Sequence, residues 1–202
     1  MRRLLAVLVL LAAHAFSAPA GGGETPRGLT VRYSDVGDKA YVPAVTRAWR
    51  SARSDLEALG LTLPPVTIRV AKDARDFARA TGEAWFVAAV TSGATIHTQR
   101  LGALQVRGSL PLTIRHELFH VAQPKTLPRW LAEGLARIFA GQGAAATNAK
   151  TGLEHASNAE LDRLLADRDE RTLNAAYAEA TRRAARLVHE RGWRGALRWN
   201  RS

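Results

Sequence analysis

The chain contains no cysteine among its 202 residues. That excludes a disulfide framework, so a hydrophobic core must hold the fold together. It also removes any lipobox, and with it a lipid anchor. The longest clear apolar run, Leu4 to Phe16, covers about 13 residues, short of the ~20 that a spanning helix needs. Aromatic residues are few, at 6%, and are not interleaved with the basic ones. No helix-turn-helix or RNA-binding motif and no internal repeat is present. A specific nucleic-acid partner is therefore not expected, despite 29 Lys+Arg against 18 Asp+Glu and a net charge of +11. The excess is nearly all arginine and is spread along the chain. Arginine-rich, alanine-rich usage is what a high-GC genome encodes, and a basic surface suits contact with an anionic cell envelope.

The first residues read as a targeting segment. Arg2 and Arg3 form a charged start, Leu4 to Phe16 an apolar stretch, and Ala18-Pro19-Ala20 a cleavage site. The rest of a twin-arginine export pattern is missing, so residues 1–20 are expected to be a Sec-type signal peptide, cut after Ala20. The protein is then secreted or periplasmic. Residues 21–27 read as a flexible leader, and residues 28–202 as one domain, long enough for a real core.

Within that domain, Leu29 to Tyr33 alternates as a strand does. Asp38 to Leu59 reads as a long helix with one apolar stripe, ended by Gly60. Val66 to Val70 reads as a second strand and Asp73 to Ala80 as a short helix. Trp85 to Val90 and Ala94 to Gln99 read as a hairpin around Ser92-Gly93. After two central helices and a polar loop from Gln142 to His155, three helices are expected: Asn158 to Asp167, Thr172 to Arg191 and Trp193 to Asn200. The expected class is α+β: a small N-terminal mixed sheet with helices, a helical C-terminal half, and a cleft between them. The edge strand would lie beside the central helix, where an extended peptide can pair with it.

The most informative residues are His116-Glu117-Leu118-Phe119-His120, an H-E-x-x-H motif. Two histidines four apart on a helix share a face and can reach one metal ion, while Glu117 can take a proton from a metal-bound water. The helix is expected to start at Ser109-Leu110-Pro111, with Ser109 as its cap, and to stop at Pro124. Ile114, Leu118 and Val121 give it a buried side.

A catalytic zinc site usually needs a third protein ligand. The metzincin pattern would require Gly and His where this chain has Gln123 and Thr126, so that class is excluded. Glu133 is the best alternative. Its helix is expected to open near Pro128 and close at Gly141, and the short link from Pro124 to Leu127 makes the two helices neighbours. Gly134 is expected to let them approach each other. The competing reading of Glu133 is an ion pair with Arg137, four residues on.

H-E-L-F-H followed by Leu127-Pro128-Arg129-Trp130-Leu131-Ala132-Glu133-Gly134-Leu135-Ala136 resembles the peptidase MA-like domains, in the gluzincin branch of zinc metallopeptidases. The resemblance is specific at both motifs; elsewhere, from Gly28 to Trp193, it is one of layout. It implies a zincin-like fold and one Zn2+ per chain. It also implies ligands His116, His120 and Glu133, Glu117 as general base, and a peptide or protein substrate. The alternatives in function are a non-catalytic envelope or peptide-binding protein, and a cell-wall peptide amidase. Related domains carry a tyrosine helix after the zinc helices. Tyr177 is the match here, either as a donor to the oxyanion or as a core residue on a helical stripe. Of the other histidines, His97 reads as an exposed strand residue that could line the cleft. His155 reads as a loop residue able to approach the site. His189 reads as a cation near a helix C-terminus.

Overall fold

The computed structural model describes residues 25–143 and 150–199. The expected signal peptide and its cleavage site, residues 21–24 of the leader, residues 144–149 of the polar loop, and Asn200 lie outside the described residues. Among the described residues, no helix is long and apolar enough to cross a membrane.

The fold is α+β, with a small mixed sheet and a helical majority. Strand β1, Leu29–Arg32, alternates buried and exposed residues as its sequence dictates. A 3-10 turn, Val36–Tyr41, then leads into helix α1, Val42–Ala58. The α-helix thus begins four residues later than the expected Asp38. Pro43 lies in its first turn, where a residue without an N–H fits. Asp38 is buried instead, accepting from Arg100 Nε at 2.7 Å and from the Gly102 N–H at 3.2 Å. The α1 stripe, Val45, Ala48, Trp49, Ala52 and Leu56, is buried as expected.

Strand β2, Val66–Val70, pairs in parallel with β1. Helix α2, Ala74–Thr81, is capped by Asp73, whose side chain accepts from the Asp76 N–H, and ends at Gly82 in the left-handed region. Strands β3, Ala89–Ser92, and β4, Thr95–Thr98, form the expected hairpin, and β4 pairs in parallel with β2. The sheet order is β1-β2-β4-β3, which leaves β3 at an edge. The expected strand from Trp85 starts only at Ala89. Gln99 accounts for this: its Nε2 donates to the carbonyls of Trp85 and Val87, both at 2.6 Å, and its N–H to that of Ala88. A side chain thus takes two acceptors that a longer ladder would have used.

Helix α3, Leu101–Val106, was not expected; six residues are too few to show a period. Helix α4, Leu110–Ala122, carries the H-E-x-x-H motif. Ser109 does not cap it. Its backbone is already helical, and its hydroxyl donates back to the Leu104 carbonyl at 3.2 Å. Gln123 is extended before Pro124, as the residue before a proline prefers, and this ends α4. Helix α5, Arg129–Ala140, follows Pro128 and closes at Gly141, with φ 83°. Helix α6, Asn158–Leu164, supplies Asp162, which accepts from the Trp130 N–H at 2.6 Å and satisfies a free donor at the start of α5. Helix α7, Glu170–Leu197, runs on to a break at Gly192 (φ 65°), so the two expected C-terminal helices meet there without a gap.

Packing proceeds in series. Helix α1 lies on α4, α4 on both β3 and α5, and α5 on α7. Gly134 serves the last of these contacts and not, as expected, the approach of α4 to α5. A Cβ at this position would collide with the Ala180 carbonyl group and lie 2.7 Å from Ala184 Cβ, both on α7. On an exposed helix, Gly→Ala would stabilise by about 1 kcal/mol. Here overpacking dominates, so Gly134→Ala is expected to lower stability by about 1–3 kcal/mol or more. Thermal melting checks this, and a raised Tm would refute the close α5–α7 contact.

Candidate metal centre

Helix α4 places His116 and His120 one turn apart, with ring centroids 4.7 Å from each other. Helix α5 brings Glu133 against them. Glu133 Oε2 lies 3.4 Å from His116 Nε2 and 3.3 Å from His120 Nε2, and the two Nε2 atoms are 3.0 Å apart. The three side chains are largely buried, with 12–14% of their surface exposed. Together they form a group that could hold a metal ion. The alternative pairing of Glu133 with Arg137 is not formed. Arg137 Nε donates to Thr181 Oγ1 at 3.1 Å, and its guanidinium lies over the Tyr177 ring.

Burial by itself would raise the Glu133 pKa, but the two imidazoles more than offset it and hold the carboxyl well below its ordinary range. Burial by itself would lower His120. The Glu133 carboxylate, by charge and by hydrogen bond, pushes it up to about 9 instead.

Each histidine also has a partner at its other ring nitrogen. His116 Nδ1 lies 3.1 Å from Gln142 Oε1, and His120 Nδ1 lies 3.0 Å from Gln123 Nε2. Glu117, only 6% exposed, is held from the sheet. The Thr91 hydroxyl on β3 donates to Glu117 Oε2 at 2.7 Å. Thr91, Gln123 and Gln142 escaped the sequence reading. A signal existed for Gln123, three residues beyond His120 and so on the same helix face. Thr91 lies one residue beyond the strand expected from Trp85 to Val90, so alternation did not reach it, and nothing local pointed to Gln142.

Thr91, His116, Glu117, His120, Gln123 and Glu133 line one cleft of about 410 Å3, and Gln142 stands behind His116 outside its lining. The cleft walls include β3 with the preceding Phe86 and Val87, the sides of α4 and α5 that carry His116, His120 and Glu133, the segment from Leu165 to Arg168, and Tyr177 of α7. Tyr177 is therefore a cleft residue as well as a member of the packed stripe. Burial and the nearby Glu133 and Glu117 carboxylates push its phenol pKa strongly upward, so it stays protonated. His97 does not line the cleft. It is half-buried on β4, and burial together with Arg69 beside it lowers its pKa. His155 is exposed and stands outside the cleft, and His189 is exposed near the end of the first segment of α7.

No family model matches the chain, and neither curated proteins nor solved structures yield a match.

The His120–Glu133 pairing has a pH consequence. A raised imidazole pKa contributes stability that is complete below the unfolded value of 6.5 and is lost as pH rises through about 9. Metal-free protein is therefore expected to melt progressively earlier across that window. In Glu133→Gln the His120 midpoint, followed by NMR, should fall toward the ordinary imidazole value, and the pH dependence should flatten. A midpoint unmoved by the substitution would refute the pairing.

Proposed function

We propose that the chain is a zinc metallopeptidase of the gluzincin kind, with a zincin-like arrangement of edge strand and metal helices. The observation that carries this reading is the donor triangle of His116 Nε2, His120 Nε2 and Glu133 Oε2, with sides of 3.0, 3.3 and 3.4 Å. Nitrogen and oxygen ligands about 2.0–2.1 Å from a tetrahedral zinc stand roughly 3.3 Å apart, so the residues fit that ion. Two histidines and one carboxylate are also a known zinc donor set that leaves a position open. The resemblance at H-E-L-F-H and at Trp130-Leu131-Ala132-Glu133-Gly134 supports the same assignment.

His116, His120 and Glu133 would hold the ion, which supplies a Lewis acid and a water acidified to near neutrality. Glu117, next to His116 on α4, would be the base that takes a proton from the attacking water and returns it to the leaving amine. Thr91 keeps one Glu117 oxygen engaged, and so fixes the direction in which the carboxylate presents the other. In its donor role, Tyr177, protonated at neutral pH and lining the cleft, would offer its O–H to the oxyanion that develops on the peptide carbonyl. The edge of β3 along the cleft suits a peptide added by main-chain pairing.

Two experiments test this reading. Purified wild type is expected to contain about one zinc per chain, and His116→Ala/His120→Ala to lose it. Glu117→Gln should keep the zinc and lose at least about 10²–10⁴-fold in hydrolysis of a library-selected peptide. Stoichiometric zinc in the double histidine variant would overturn the metal assignment. Full activity in Glu117→Gln would overturn the base. Zinc uptake with no peptide cleavage at all would favour a binding protein.

Tyr177→Phe separates the two roles of that ring. A donor role predicts a loss of about 10²–10³ in kcat at constant zinc. A packing role alone predicts wild-type kcat with at most about 1 kcal/mol of lost stability. Parallel rate and melting measurements decide between them.

A further inference from the structure

We propose that Gln123 and Gln142 are the positioning residues of the metal centre. Each takes the Nδ1 hydrogen of one histidine through its amide oxygen, and so directs the Nε2 lone pair at the ion. The inference rests on the zinc reading above and assigns to it residues outside the motif. A histidine that binds metal through Nε2 carries its hydrogen on Nδ1, and that hydrogen needs an acceptor. Gln142 Oε1 already stands 3.1 Å from His116 Nδ1.

Gln123 is placed with the same reach but with its amide nitrogen, 3.0 Å from His120 Nδ1, while its Oε1 is buried without a partner. A half-turn of the amide preserves its shape and brings that orphaned oxygen to the ring nitrogen. As placed, the oxygen gains nothing from its buried position, so the hydrogen on His120 decides which end of the amide faces the ring. With Nε2 committed to a metal, the oxygen does.

The two glutamines come from different segments. Gln123 is the extended residue that ends α4, and Gln142 follows the left-handed Gly141 that ends α5. Helix termination thus positions both. The choice of amide also has a chemical consequence. Zinc, Glu133 and Glu117 together sum to no net charge, and a neutral amide keeps it so. A carboxylate would make the imidazoles more basic, binding the ion more tightly while reducing its Lewis acidity.

The test is zinc affinity, measured on the full chain by competition with a chromophoric chelator. Gln123→Leu and Gln142→Leu are expected to bind zinc about 10–100-fold more weakly than wild type. Gln123→Glu restores an acceptor and should bind at least as tightly as wild type. Long-range 1H–15N NMR of the zinc-loaded wild type should show the hydrogen on Nδ1 of both histidines. Should a leucine variant fail to fold, Gln123→Glu and the NMR measurement still decide. Leucine variants with wild-type zinc affinity would overturn this inference alone. Equal weakening in Gln123→Glu and Gln123→Leu would reduce Gln123 to a packing role and overturn it likewise. A wild type that takes up no zinc would overturn both this inference and the function it rests on.

Discussion

A buried carboxylate costs free energy unless something compensates its charge, and at Glu133 the compensation is two imidazoles within 3.4 Å. The pairing demands that α4 and α5 meet at one height and one rotation. Several otherwise separate features serve that demand. Pro124 and the extended Gln123 end α4 sharply, Pro128 opens α5 a few residues later, and Asp162 holds the first turn of α5 from α6. On the far side, Arg115 ties α4 to its neighbours. It is bonded to Asp55 of α1 at 2.9 Å and to the Phe139 carbonyl of α5 at 2.8 Å. The helix pair is thus clamped from both sides, and the donor triangle follows from the clamp.

The sheet contributes through its edge. Thr91 reaches from β3 to the carboxylate of Glu117, and Gln99 gathers the carbonyls of Trp85 and Val87 just before that strand. The first interaction aims a side chain and the second shapes a wall of the cleft. Both use a polar side chain to satisfy groups that would otherwise be left unpaired in a half-buried place. Beside them, the Gln123 amide oxygen is a buried cleft atom without a partner.

Much of this arrangement was legible in the chain. Strands β1 and β2, helices α1, α4 and α5 and the break at Gly192 follow from alternation, helical stripes and the placement of proline and glycine. His116, His120 and Glu133 converge as their spacing implied, because four residues on a helix and a short interhelix link are local geometry. What escaped depended on contacts between distant segments. Gln99 shortened β3 by capturing carbonyls twelve and fourteen residues away. Gln142 meets His116 across 26 positions of sequence, and Thr91 meets Glu117 across the same separation. No periodicity encodes such pairs. Gly134 was recognised as a point of close approach but assigned to the wrong neighbour, since a missing side chain says that something comes near and not what.

That neighbour is α7, and the contact joins Gly134 to Ala180 and Ala184. Glu133, the third donor, is the residue next to Gly134, so the rotation of α5 that aims it is set by a helix that contributes none of the three. Positions 134, 180 and 184 consequently form one packing unit. Enlarging any of the three would move the carboxylate. Relatives that keep the donor set should preserve small residues there together, or exchange their sizes in concert.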